Sequence, residues 1–322
     1  MLAAAYSQRG SADEVLAVRE VPDPVVGPGE VRVRIHTSGV NPTDWKSRSA
    51  GAPIEDYLIP NQDGAGIIDQ VGAGVDPARL GQRVWVFHAA WQRTNGTAAQ
   101  FTALPAGQAV PLPDTIGFDQ GAGLGIPYIT AHGCLYGDGP IDGLTVLVAA
   151  GAGAVGHAAI ELAVFGGARV IATVSSQEKA QIARAAGAHV VVNYRDCDAA
   201  AQIAAAAPGG VDRIIEVALG ANLELDLAVL KPHGVIVTYA NEPTDPTIPV
   251  RTLMFANTTL RFVIVYLFTG QQIASALDAI SAALAAGQLS SLPTLNFDLG
   301  DIAAAHRAVE SGFTGKVLVH VE

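Results

Sequence analysis

Residues 144–156 read LTVLVAAGAGAVG, and the fold turns on them. Thr145 to Ala149 form an apolar, β-branched run as long as a buried strand, and Gly151, Gly153 and Gly156 follow it in the spacing G-x-G-x-x-G. That order is a strand, a tight turn and a helix start. Gly151 permits the turn, Gly153 lets backbone N–H groups approach a pyrophosphate, and Gly156 lets the helix that opens at Ala154 lie close on the strand. Ala152, Ala154 and Val155 complete the stretch, and the helix aims its positive end at bound phosphates. A chain with 35 glycines yields such spacings by chance. The flanking strand and helix make this one a dinucleotide-binding turn.

Outward from this stretch, strand and helix alternate for well over a hundred residues. Strands at 169–174, 190–193, 213–217 and 235–239 are each preceded by a helical segment, with helices expected from Gln177, across the alanine-rich 198–206, and at 221–230. Repeated βα units imply a doubly wound parallel sheet. Residues 259–267 read as a sixth strand, and 271–286 have helical spacing. Before residue 123 the pattern differs: short β-rich runs at 15–21, 30–39, 66–71, 83–87 and 99–103 are broken by Pro and Gly, which suggests an antiparallel barrel. In the run at 30–39, period-two alternation puts Val31, Val33 and Ile35 on one face. The expected organisation is a β-rich unit at 1–122, a nucleotide-binding unit at 123–268, and a return of 269–322 to the first unit.

At 322 residues and 50% apolar, the chain has ample core for two such units. The net charge of −11 and scattered Lys and Arg argue against a nucleic-acid partner. No apolar run is long enough for a membrane span, and MLAAAYSQRG lacks the pattern of a signal peptide, so a cytoplasmic protein is expected. Cys134 and Cys197 are isolated, without the spacing of a structural zinc site, and both are expected to be small buried hydrophobes.

The second strand of a sheet that binds NAD usually ends in a carboxylate for the ribose 2′-hydroxyl. Here the corresponding positions carry Ser175, Ser176 and Lys179, and the next strand ends in Asn193-Tyr194-Arg195. Hydroxyls and cations suit a 2′-phosphate, so NADPH is the expected cofactor. The plainer alternative is that the serines cap a helix and Lys179 is a solvated charge.

The fingerprint, the β-rich first part, Gly39-Val-Asn-Pro-Thr-Asp44, Asp63-Gly-Ala-Gly66, Ile126-Pro-Tyr-Ile-Thr-Ala131 and Gly315-Lys316-Val-Leu together resemble the medium-chain dehydrogenase/reductase superfamily. Within it the chain is most similar to the zinc-free quinone oxidoreductase branch, which includes zeta-crystallin. The resemblance implies a Rossmann sheet beside a GroES-like barrel and a homodimer, for which the apolar run at 259–267 is the expected contact. Alcohol dehydrogenases of the superfamily place zinc-binding cysteine, histidine and cysteine where this chain has Asn41, Gln62 and the neighbourhood of Ile126, so no metal is expected.

The resemblance also implies that Asn41 and Thr130 hold the nicotinamide end of the cofactor, with Tyr128 beside Thr130. By the same argument Asp44, Tyr57 and Trp45 surround the substrate, Tyr239, Ala240, Asn241, Ile264 and Val265 border the cofactor, and Lys316 lies near the pyrophosphate. A structural alternative for 41–44 is an Asx-type turn. The segment from His88 to Thr94, with Trp91, departs from the family pattern and bears on the substrate.

The chemistry expected is hydride transfer from NADPH to a small quinone or α,β-unsaturated carbonyl, without metal. Asn41, Thr130 or Tyr57 would stabilise the developing oxyanion. The alternatives are an enoyl-thioester reductase, for which a basic mouth is missing, and an NADPH-binding protein with little turnover.

Overall fold

The computed structural model describes residues 1–321 and divides into two compact units. Unit 1 comprises Met1–Ile126 and Ser291–Glu322, and unit 2 comprises Pro127–Ser290.

Unit 1 opens with β1 (Leu2–Ala5), α1 (Ala12–Val15) and β2 (Ala17–Glu20), and β1 pairs antiparallel with β2. The long strand β3 (Glu30–Val40) leads into α2 (Pro42–Ser49), followed by β4 (Asp63–Val71), β5 (Arg83–Val86), β6 (Phe101–Pro105), β7 (Ala109–Pro111) and α3 (Phe118–Gly121). The chain then enters unit 2 within α4 (Gly125–Tyr136).

As the alternation requires, Val31, Val33 and Ile35 of β3 are fully buried, while Arg32 on the other face pairs with Asp69 at 3.0 and 2.9 Å. Eleven residues let β3 take two partners on one edge: β6 along Glu30–Arg34, and a C-terminal strand along Thr37–Val40. Leu318 and Val319 of that strand are fully buried.

Unit 2 continues with β8 (Thr145–Val148), α5 (Ala154–Phe165), β9 (Arg169–Val174), α6 (Gln177–Ala185), β10 (Val190–Asn193), α7 (Ala199–Ala206), β11 (Val211–Glu216), α8 (Leu219–Val229), β12 (Leu230–Thr238), α9 (Val250–Ala256), β13 (Thr259–Phe262) and α10 (Gly270–Ala285). Its six strands are all parallel, in the order β10-β9-β8-β11-β12-β13. From β8 the chain winds first one way across the sheet and then the other, so the crevice beyond the carboxyl ends of β8 and β11 is the topological switch point where such sheets take ligands. Unit 1 is completed by β14 (Thr294–Asp298), α11 (Ile302–Glu310) and β15 (Lys316–His320), giving a seven-stranded sheet ordered β14-β15-β3-β4-β5-β7, with β6 on β3.

Several expectations need correction. The chain returns to unit 1 at Ser291, not at 269, because the amphipathic helix α10 packs on α5 of unit 2. The first crossing falls at 126–127, inside α4, not at 122. The expected strand at 259–267 ends at Phe262; Val263 still donates to Thr238, but Val265–Leu267 then form a 3-10 turn. Val15 belongs to α1, not to a strand. Cys197 is exposed in the loop after β10, whereas Cys134 is buried as expected. No helix among the described residues is long and apolar enough to cross a membrane.

Candidate active site

In unit 2 the glycines do separate jobs. A Cβ at Gly156 would come within 2.3 Å of the Ala150 carbonyl oxygen, so only glycine lets α5 sit against the turn. At Gly151 a Cβ would press on Ala172 and Ile160 at 2.9 and 3.0 Å. At Gly153, the residue that precedes α5, it would meet nothing closer than Ala150 O at 3.3 Å. That position is open, as a phosphate cradle must be. Ala152 is buried beneath the turn, and Ala154 and Val155 form the first turn of α5.

Beyond β9, Ser176 caps α6 by accepting from Lys179 N at 3.3 Å, so the capping role holds for this serine. Its O–H stays available as a donor. The Lys179 side chain is half-buried, and no described residue accepts a hydrogen bond from it or pairs with it. Tyr194, which directly follows β10, is partly exposed, with the Arg195 guanidinium 6.0 Å from its ring centroid. Ser175 is half-buried, and no carboxylate stands at the end of β9. Hydroxyl, ammonium and guanidinium therefore collect at the ends of β9 and β10, whose paired residues Val174 and Asn193 fix them as neighbours.

Other expected positions in unit 2 lie apart from these. Thr130 is buried in α4, and the Tyr128 hydroxyl donates to Glu161 Oε2 at 2.5 Å, so it is committed to α5. Tyr239 and Ala240 are half-buried and Asn241 exposed at the end of β12; Val265 is buried and Ile264 is exposed.

Unit 1 gathers a polar centre in its interior. Asn41 follows β3 and caps α2, where Pro42 occupies the first helical turn. Asp44 reaches back so that its Oδ2 accepts from Asn41 N at 2.7 Å, while its Oδ1 accepts from Gln62 N at 3.1 Å. The segment is thus a capped helix start instead of an isolated turn. The Asn41 amide is fixed from both ends: Lys316 Nζ donates to its Oδ1 at 2.8 Å, and its Nδ2 donates to Asp63 Oδ2 at 2.7 Å. Asp63 also accepts from Ile126 N at 3.0 Å and faces the Lys316 ammonium at 3.8 Å. Asn41, Asp44, Asp63 and Lys316 are all at least nine-tenths buried.

Burial dominates the electrostatics here. It pushes the Asp44 carboxyl up to about 8, with the nearby Asp63 adding to the rise, and it lifts Asp63 to about 6 against the pull of Lys316 and Asn41. Burial lowers Lys316, and the two carboxylates hold it back. Lys316, expected near a pyrophosphate, has its ammonium turned into this centre.

Next to it, a cavity of about 580 Å³ is lined by Asp44, Tyr57 and Gln62, with Tyr6, Ile54, Leu58, Trp91, Arg93 and Thr94 among its walls. Asp44 and Tyr57 both line it, whereas Trp45 is not among the lining residues. The unusual segment at 88–94 supplies one wall. Sequence reasoning passed over Gln62 as a bonding group and the Asp63–Lys316 contact. For Asp44 the signal was present in Asn41-Pro42-Thr43-Asp44, which has the form of a helix cap with proline in its first turn.

A parallel six-stranded nucleotide sheet and a β-rich unit with a buried polar centre define a two-unit dehydrogenase/reductase. The comparisons agree. Residues 27–114 match the alcohol dehydrogenase GroES-like domain, and residues 154–282 match the zinc-binding dehydrogenase domain. The quinone oxidoreductase of Rattus norvegicus is 31% identical over 90% of this chain and 88% of its own length. Among solved structures, an NAD-dependent alcohol dehydrogenase superposes with a TM-score of 0.90 at 26% identity, and the Escherichia coli quinone oxidoreductase complexed with NADPH with 0.85 at 25%; each covers 100% of both chains. The chain belongs to the quinone oxidoreductase branch of the medium-chain dehydrogenase/reductase superfamily.

Proposed function

We propose that this chain is an NADPH-dependent reductase that passes hydride to a quinone or an α,β-unsaturated carbonyl without a metal. The observation that carries the reading is the Lys316 ammonium at 2.8 Å from Asn41, inside the centre where the resemblance puts zinc in alcohol dehydrogenases. An amide and a buried cation there make a poor donor set for a divalent ion. Among the described residues no cluster of three His, Cys, Asp or Glu replaces it.

Cofactor choice is supported by Lys179, Ser175, Ser176, Tyr194 and Arg195 at the strand ends of unit 2, which suit a 2′-phosphate. The pyrophosphate would lie over Gly151 to Gly156, Thr130 and Asn41 would position the nicotinamide, and Tyr239 to Asn241, Ile264 and Val265 would border it. When bound, NADPH supplies a hydride, and with one proton the acceptor becomes a hydroquinone or a saturated carbonyl. The cavity of unit 1 takes that acceptor between Tyr57 and Trp91. The Tyr57 hydroxyl, in the cavity wall, is a donor for the oxygen on which charge develops, and the resemblance adds Asn41 and Thr130 as further candidates. Asp44, whose carboxyl burial pushes up to about 8, would hold a proton at the cavity wall.

A homodimer forms through β13 in this reading. The strand is the sheet edge, and Phe262 and Leu267 are 69% and 74% exposed, with Met254 and Phe255 of α9 also exposed. An apolar open edge of this kind invites a second copy. Light scattering tests it: a dimer is expected, and a monomer at micromolar concentration removes this part.

The activity is tested with NADPH and NADH against a panel of ortho- and para-quinones and simple enones, with products identified. Turnover preferring NADPH on one class is expected. Tight NADPH binding with no acceptor reduced would overturn the reading.

A further inference from the structure

The cavity of unit 1 contains a polar group that the unit itself leaves unused. Gln62 is 5% exposed and lines the cavity, and its amide oxygen is buried with no hydrogen-bond partner among the described residues. A buried acceptor without a donor is costly, and a native fold keeps one where something else supplies the partner.

The backbone on either side is held firmly. Gln62 N donates to Asp44 Oδ1, and Gln62 O accepts from Ala89 N at 3.0 Å. Asn61, just before it, is in the left-handed region at φ 76° and is fully buried; its Nδ2 donates to Ser38 Oγ at 2.9 Å and its Oδ1 lies 3.1 Å from His306 Nε2. A strained, over-determined residue that sets the position of an unpaired amide is a pre-organised arrangement.

We propose that Gln62 is the residue that orients the acceptor. Its Nε2 donates to the carbonyl oxygen of the bound quinone or enone, and where the acceptor is a quinone its Oε1 receives the hydroxyl of the hydroquinone. An amide is suited to this because it offers a donor and an acceptor at one place, and the carbonyl and hydroxyl forms of one substrate need one of each. Tyr57, Trp91, Ile54 and Leu58 supply flat and apolar walls, so the ligand class is an unsaturated, mostly apolar ring system with one oxygen at Gln62.

The inference rests on the cavity being the acceptor site, and the test keeps the two apart by measuring binding without cofactor. The probes are 2-acetylnaphthalene and 2-ethylnaphthalene, which share a shape and differ in the carbonyl. Wild type is expected to bind the ketone about tenfold more tightly. Gln62→Met, close in size and without hydrogen-bonding groups, is expected to bind both alike and to raise KM for quinone while the Kd for NADPH is unchanged. Gln62→Asn, which keeps the amide on a shorter stem, serves if the methionine variant does not fold and is expected to retain only part of the preference.

Equal binding of the two probes by wild type, or a ketone preference that survives in Gln62→Met, overturns the inference. Loss of the preference in the variant, alongside a wild type that reduces no quinone or enone, supports Gln62 as a carbonyl-binding group and refutes the proposed activity.

Discussion

Gly153 and Gly156 stand three residues apart, one capping α5 and the other in its first turn, and alanine at each has opposite consequences. In Gly156→Ala the new methyl would sit 2.3 Å from the Ala150 carbonyl oxygen and 2.9 Å from its carbon. Both are backbone atoms, so relief requires α5 to move off the turn by about 1 Å, an overpacking that costs about 1–3 kcal/mol. In Gly153→Ala the nearest atom is 3.3 Å away, and φ −79°, ψ 162° suits alanine. Its stability should stay within about 1 kcal/mol of wild type, the loss at the N-cap being offset by reduced unfolded-state entropy.

On the proposed reading the methyl at 153 stands where a pyrophosphate approaches the backbone, so NADPH affinity should fall about tenfold or more. Thermal melts and fluorescence titration with NADPH separate the two effects. Gly156→Ala loses stability, and Gly153→Ala loses binding alone. If Gly153→Ala binds NADPH as wild type does, the fingerprint is not the phosphate site and the reasoning fails.

Lys179→Ala should weaken NADPH by about tenfold or more and leave NADH nearly unchanged, since one charge-assisted bond contributes roughly 1.5–3 kcal/mol; paired titrations decide it. Lys316→Met leaves Asp63 buried and uncompensated, and urea unfolding should show a loss of about 3–5 kcal/mol, largely recovered in Lys316→Met/Asp63→Asn. Stability should also fall as pH rises. Burial lifts Asp226 to about 9, with Glu216 adding to it, and lifts Asp44 to about 8, so the folded state binds these protons more tightly than the unfolded chain. That stabilisation is complete below about pH 4 and is lost through the window up to 8–9. Urea midpoints should decline over that range, and Asp226→Asn should flatten the upper part of the decline.

The parallel sheet was legible because β8 to β12 carry apolar runs too short for helices, punctuated by glycine. The end of β13 was not. Residues 263–267 stay apolar, and periodicity cannot tell that Val265 turns inward in a 3-10 turn while Ile264 and Leu267 remain exposed. The amphipathic face of α10 announced a helix without naming its partner, so its unit was misassigned. In the site, residue types pointed to Asn41, Asp44 and Tyr57 through resemblance, but the burial of Lys316 could not be read. Lysine is ordinarily a surface residue, and its partner Asn41 lies 275 positions away. Gln62 registered only as a missing histidine, because an unpaired amide is a property of packing.

The most direct test of the central claim uses NADPH deuterated at one or the other face of C4, turned over with a quinone or enone. The account predicts stereospecific hydride transfer: NADP⁺ formed from one epimer keeps all of its deuterium, and NADP⁺ from the other keeps none. Label retained equally from both epimers, or no oxidation of NADPH with any acceptor, would contradict it.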